Sequence, residues 1–228
     1  PMLKNPQQKR HFMEKSEYVN LLATSPWKEM QNHFDSIPVI DMSVSKQLNI
    51  NTSDWVRFSI DNFDLATQKW EEPKPHYTDQ SNKWATVNNG IGRNKHNSFE
   101  LNYGMLGAGN DKLKTILGRD NIKLLGVDFD TVLVRLIVKF PGHGMAWHCD
   151  SLDSYAIKFS VDDPSKVKRY WFSVDDWHDG HVFQVSKTVL NNWTKGAAYN
   201  IPFGIGHASS NFGYRPMYSV SFTGVLDS

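Results

Sequence analysis

The chain has 228 residues, 39% of them hydrophobic and 13% aromatic, enough to bury a substantial core. Its 25 basic residues nearly balance 24 acidic ones for a formal charge of +1, which gives no electrostatic case for binding nucleic acid or a membrane surface. One cysteine, Cys149, excludes an internal disulfide framework, and no apolar run approaches the roughly 20 residues that span a bilayer.

The N-terminal stretch PMLKNPQQKRHF is polar and lacks the apolar segment of a signal peptide, so a soluble cytoplasmic protein is expected. SEYVNLLATSPWKEMQNHF carries apolar residues at helical spacing, broken near Ser25-Pro26, and predicts two short helices. PVIDMSV and WVRFSI are candidate strands. WEEPKPHYTDQSNK reads as an exposed loop. WATVNNGIGRNK and HNSFELNYGMLGAGN, rich in Asn and Gly, are candidate substrate loops. NDKLKTIL predicts a short helix, with Asn110 as its cap and Gly118 as its stop.

The last hundred residues are mostly β. TVLVRLIVKF alternates, with Val132, Val134, Leu136, Val138 and Phe140 on one face and Thr131, Leu133, Arg135, Ile137 and Lys139 on the other. AWHCD, YAIKFSV, KRYWFSV, HVFQV, AAYNI and MYSVSFTGV are further strand candidates, joined by segments with Pro, Gly, Asp and Asn. Seven or more short strands imply a sandwich or barrel. A single domain over 1–228 is expected, with a mixed helical and irregular part over 1–120 packing on a β core over 121–228 that carries the site.

That site begins at AWHCD. Residues two apart on a strand share a side, so His148 and Asp150 present an imidazole and a carboxylate together. His207, 57 positions after Asp150, offers a third ligand. His-x-Asp followed by a distant His is the pattern of the two-histidine, one-carboxylate triad that holds non-haem Fe(II). His-x-Asp alone arises readily by chance in a chain with nine histidines. The surroundings of His207 add weight. Extended through Arg215, the alternation of MYSVSFTGV puts Arg215, Met217, Ser219 and Ser221 on one face and Tyr218, Val220 and Phe222 on the other. A guanidinium suits a carboxylate ligand. His143, in the turn PGHG, reads as structural or substrate-facing, and His178 and His181 as surface or supporting residues. Trp147 and Trp171 read as core.

RYWFSVDDWHDGHVFQV, followed by NNWTKGAAYNIPFGIGHASSNFGYR, has Arg169, Asp176-Trp177, Gly180-His181, Trp193, Gly196, His207, Asn211 and Arg215 in order. With His148-x-Asp150, this resembles the Fe(II)- and 2-oxoglutarate-dependent oxygenases. Within them it is nearest the aspartyl/asparaginyl β-hydroxylase-like and marine-phage hydroxylase-like branch. The resemblance covers roughly residues 130 to 226. It implies a mainly β chain with flanking helices (α+β) and a double-stranded β-helix core of the jelly-roll or cupin-like type. It also implies Fe(II) on His148, Asp150 and His207, 2-oxoglutarate as cosubstrate, O2 as oxidant, and hydroxylation of a peptide side chain or small molecule with release of succinate.

Two features depart from the branch. Aspartyl/asparaginyl hydroxylases proper lack the carboxylate ligand that Asp150 supplies. The distal His to Arg interval is eight, and Met217 stands where Ser or Thr is usual. Arg215 and Arg169 therefore both stand as partners for the cosubstrate's distal carboxylate, with Lys168 and Arg135 behind them. Asn211, Ser219 and Tyr170 are candidate cosubstrate contacts. Two other readings remain open: a cupin-like module that holds a metal or small ligand without turnover, and a structural jelly-roll protein.

Overall fold

A computed structural model describes residues 39–62, 100–103, 108–150 and 152–227. The two helices expected before residue 35 and the loop expected over 70–83 lie outside the described residues. So do the stretch WATVNNGIGRNK and parts of HNSFELNYGMLGAGN. Ten strands are described: β1 (Lys46–Gln47), β2 (Glu100–Tyr103), β3 (Leu133–Lys139), β4 (Gly144–His148), β5 (Val167–Ser173), β6 (His181–Val185), β7 (Thr188–Leu190), β8 (Ala197–Asn200), β9 (His207–Asn211) and β10 (Met217–Val225). The helices are α1 (Thr52–Asp61), α2 (Ala108–Leu117), α3 (Arg119–Leu124) and α4 (Asp153–Phe159).

The strands form a six-stranded sheet, ordered β1-β8-β5-β10-β3-β2, and a four-stranded sheet, ordered β4-β9-β6-β7. Every pairing is antiparallel. From β3 onward the chain crosses between sheets at each connection except the β6–β7 hairpin. This alternation is the double-stranded β-helix, and the protein is mainly β with a few flanking helices.

The two faces of the large sheet do different work. Val134, Leu136 and Val138 of β3, Tyr170 and Phe172 of β5, and Val220 and Phe222 of β10 point outward. There they pack with Trp55 and Phe58 of α1, Leu113 and Leu117 of α2, and Ile122 of α3. The intervening residues point into the barrel. Trp171 stacks on Phe183 of the facing sheet at 4.3 Å and 14°, and with Val185, Trp193, Tyr199 and Ile201 fills part of the interior. Arg135, Lys139, Arg169, Ser219 and Ser221 line what remains. The outward side chains are thus the apolar ones, because helices cover that face, and the polar set is enclosed.

WVRFSI is not a strand; it lies in α1. The Asn51 side chain accepts a hydrogen bond from Ser53 N at 3.2 Å, starting the helix. Trp55, Phe58 and Ser59 are buried while Ile60 is 68% exposed, the three-and-four spacing of a helix face rather than the two-residue period of a strand. Tyr155–Phe159 of YAIKFSV is likewise helical, in α4, and Ser160 is the helix C-cap. Tyr155 and Phe159, four apart, pack ring to ring at 4.8 Å, while Ile157 between them is 80% exposed. The described part of PVIDMSV, residues 39–44, is irregular, and β1 follows it.

Asn110 sits inside α2 rather than at its start. It donates to Val132 O at 3.1 Å and accepts from Val134 N at 2.8 Å, tying the helix to the start of β3. Gly118 ends α2 with φ +83°, a conformation that disfavours a side chain, and α3 begins directly after it. Among the described residues no helix is long and apolar enough to cross a membrane.

Candidate metal centre

β4 and β9 are neighbours in the small sheet, and His148 and His207 are register partners. His148 is the last residue of β4, and Asp150 follows two residues on. The His148 and His207 rings lie 4.2 Å apart. His148 Nε2 is 3.7 Å from Asp150 Oδ1, and His207 Nε2 is 3.5 Å from Asp150 Oδ2. One donor atom from each residue falls within a common 4.8 Å. Among the described residues this is the His/Asp group that could hold a metal ion. Metal–ligand bonds of about 2.1 Å meeting at right angles put their donors roughly 3 Å apart, so small side-chain movements close the set.

His207 is fully buried, and its tautomer follows from its partners. Nδ1 lies 3.1 Å from the Ile205 carbonyl, which can only accept, so Nδ1 carries the proton. The lone pair is then on Nε2, aimed at Asp150 and Arg169. Such a backbone contact on the remote ring nitrogen is how proteins orient a metal-binding imidazole.

Arg169, on the inner face of β5, closes the group. Its Nη2 lies 2.6 Å from Asp150 Oδ2 and 3.0 Å from His207 Nε2. Its Nη1 is buried without a hydrogen-bond partner. Burial, the largest influence on the Asp150 carboxyl, would raise its pKa. Its polar surroundings, the Arg169 guanidinium among them, outweigh burial and hold it well below the usual carboxylate range. Asp150 is therefore an ionised acceptor at neutral pH.

The adjoining cavity measures about 50 Å³. It is lined by β3, β4, β5, β6, β9 and β10, and among the described residues of its walls Asp150 is the acidic one. Arg135, Lys139 and Arg169 bring three basic side chains to this lining. Lys139 is fully buried, and Ser209 presents a buried hydroxyl with no hydrogen-bond partner. Basic side chains of this kind are the groups that pair with an anion.

Ser219 lies in this lining with the triad and Arg169. The other named candidates lie elsewhere. Arg215 is exposed, in an irregular segment before β10, and its carbonyl accepts from His181 Nε2 at 3.0 Å and Asn211 Nδ2 at 2.8 Å. Asn211 is fully buried; it also donates to Lys139 O at 2.9 Å and accepts from Gly213 N, joining β9, β3 and the β9–β10 turn. Tyr170 points to the helical side of the sheet, its hydroxyl 3.4 Å from Leu125 O and its ring against Phe222. His143 accepts from Phe140 N in its turn, and His178 pairs with Asp175 at 3.1 Å. Trp147 ends up beside the centre, against the backbone of Gly206. Ser221, placed with Ser219 on the polar face of β10, also lines the cavity, and Lys139 and Ser209 join the site without having been singled out. For Lys139 the signal was its place two strand periods from Arg135 on the polar side of β3.

No protein-family model matches the chain, and no curated protein matches it. Solved structures similar to it include a predicted oxalate decarboxylase from Thermotoga maritima, at 12% identity over 42% of this chain and 70% of that one, with a TM-score of 0.30. Another is a cupin domain from Bordetella pertussis, at 14% identity over 42% and 82%, with a TM-score of 0.29. A third, from Klebsiella pneumoniae, is an uncharacterized conserved protein with a double-stranded β-helix domain, at 15% identity over 42% and 69%, with a TM-score of 0.29. The strand order itself carries the fold assignment.

Proposed function

We propose that the protein is a non-haem Fe(II)- and 2-oxoglutarate-dependent dioxygenase that hydroxylates a peptide side chain or, second in preference, a free small molecule. The observation that carries this reading is the meeting of His148, Asp150 and His207 donor atoms within 4.8 Å, beside a cavity whose described lining includes Arg135, Lys139 and Arg169. A bare structural jelly roll has no need to enclose such a set, since taking charged groups out of water is costly. The preference for a peptide comes from the branch the sequence resembles.

Bound Fe(II), with 2-oxoglutarate and O2, supplies the oxidising chemistry, the cosubstrate leaving as succinate and carbon dioxide. The protein's part is to bind, orient and exclude water. His148, Asp150 and His207 are the iron ligands, and the Ile205 carbonyl holds His207 in its ligating tautomer. Lys139, Arg135, Arg169 and Ser219 receive the distal carboxylate, in preference to the exposed Arg215. Trp171 and Phe183 give the cavity an apolar wall that limits water at the reacting centre. The retained carboxylate, Asp150, favours hydroxylation over halogenation, for which this superfamily replaces the carboxylate with a small residue.

The second reading is a module that holds a metal or small ligand without turnover. It is favoured by the direct contact of Arg169 with two of the three donors. One experiment separates the readings. Fe(II) and 2-oxoglutarate are added anaerobically to metal-stripped protein and to His207→Ala, and the visible spectrum is recorded. A weak charge-transfer band in the wild type alone, with succinate formed on admitting O2, supports the dioxygenase. Iron retained without band or succinate supports the binding module, and no retained iron removes the dioxygenase and leaves a small-ligand-binding or structural jelly roll.

A further inference from the structure

We infer that Arg169 is an internal cation that competes with the metal for the centre, so that a divalent ion enters only by displacing its guanidinium. The inference rests on the reading of His148, Asp150 and His207 as metal ligands, and it concerns how that site is loaded.

A neutral imidazole has one acceptor lone pair. In His207 it lies on Nε2, because Nδ1 donates to Ile205 O. Arg169 Nη2 sits 3.0 Å from this nitrogen. An arginine has only donors, so the contact consumes that lone pair. The same Nη2 lies 2.6 Å from Asp150 Oδ2, a charge-assisted contact. The guanidinium therefore holds at once two of the three donor groups that a metal would use. Sharing is ruled out at His207, where one lone pair cannot serve an N–H donor and a metal ion together. A guanidinium left next to a newly bound dication would also meet like charge in a buried setting.

The side chain is not locked where it is by other bonds. Nη1 is buried without a partner, and the Phe203 ring lies 5.8 Å from the guanidinium carbon. Leaving the donors costs Arg169 the contacts to Asp150 and His207, while the adjoining cavity offers a polar wall. The ligand-competent centre is thus the fraction of molecules in which Arg169 has moved. The apparent metal affinity is lowered by that fraction, and removing the competitor restores it.

The test uses Co(II) alone, titrated by calorimetry into metal-stripped wild type, Arg169→Gln and Arg169→Lys, so no cosubstrate or turnover enters the result. The expected result is tighter Co(II) binding by Arg169→Gln, on the order of tenfold or more. Arg169→Lys should fall between the two, because an ammonium lacks the planar fork. Equal or weaker binding by Arg169→Gln, with wild type still binding, overturns the inference and leaves the proposed function standing. Absence of Co(II) binding by all three proteins overturns both. If Arg169→Gln does not fold, wild type decides: the 15N signals of the Arg169 side chain should move on adding diamagnetic Zn(II). Unmoved signals at saturating Zn(II) overturn the inference.

Discussion

His148 and His207 stand directly opposite each other on the paired strands β4 and β9, with ring centroids 4.2 Å apart. Pairing at this position is what turns two histidines distant in sequence into one site. The side-chain period of a strand is two, so a slip of one residue in β4 against β9 would send one imidazole to the outer face. The neighbouring register irregularity between Met145 and His148 shows that the ladder is adjusted just where His148 is placed.

The cavity cations and the exposed arginine make opposite predictions for cosubstrate binding. Lys139→Met should weaken 2-oxoglutarate binding by roughly 10- to 100-fold, the range of one buried charge-assisted hydrogen bond, and leave metal affinity near wild type. Arg215→Ala should change it by less than about twofold, as usual for an exposed charge. Calorimetric titration of 2-oxoglutarate into the Co(II)-loaded proteins measures both. The reverse pattern would return the distal carboxylate to Arg215.

Gly206 precedes His207 and packs under Trp147. A Cβ added there would lie 2.5–2.6 Å from three atoms of the indole ring. Gly206→Ala should destabilise the fold by about 1–3 kcal/mol, the usual cost of overpacking. It should also weaken metal binding about 10- to 100-fold by shifting His207, as loss of a supporting contact does. Chemical denaturation and a metal titration read the two effects. A stable variant with unchanged metal affinity would show that Trp147 yields freely.

His181 is buried in β6 and donates from Nε2 to Arg215 O at 3.0 Å. Burial, the main influence, pushes its pKa below the ordinary 6.5, and His178 adds to this. The Arg215 contact and Asp175 oppose the shift without cancelling it. The folded imidazole therefore stays neutral while the unfolded chain takes up a proton as pH falls through 6.5. Its contribution to stability is full above that pH and declines below it, until the folded form also protonates. Urea unfolding of wild type and His181→Gln at pH 7.5 and 5.5 tests this. Wild type should lose more stability on acidification than the variant. Equal losses would exclude His181 as a source of acid sensitivity.

Trp55 of α1 is fully buried against Phe172 of β5, edge to face at 6.3 Å and 82°. Trp55→Ala should cost about 3–5 kcal/mol in equilibrium unfolding, as for other large core truncations. A cost below about 1 kcal/mol would show that α1 unfolds apart from the barrel.

Much of the barrel was readable in the sequence because its strands alternate. HVFQV and MYSVSFTGV coincide with β6 and β10, and the two sides of β3 separate as the pattern implies. The helical segments WVRFSI and YAIKFSV look like strands by composition, being rich in β-branched and aromatic residues. Their conformation turns on the Asn51 cap and on burial four residues apart, and neither is a property of composition. The site divides in the same way. His148, Asp150 and His207 were visible as candidate ligands by residue type and spacing, although Asp150 lies two residues past the end of β4 rather than on it.

The arginine next to them could not be chosen from sequence. The alternation of β10 does not reach Arg215, because the chain before Met217 is irregular and its carbonyl is claimed by His181 and Asn211. Arg169 reaches the centre from β5, in the other sheet, and does so because the two sheets face each other. Ligand chemistry and strand faces are local, carried by residue identity and a period of two. Which cation meets the ligands depends on how two sheets pack, which no local pattern encodes.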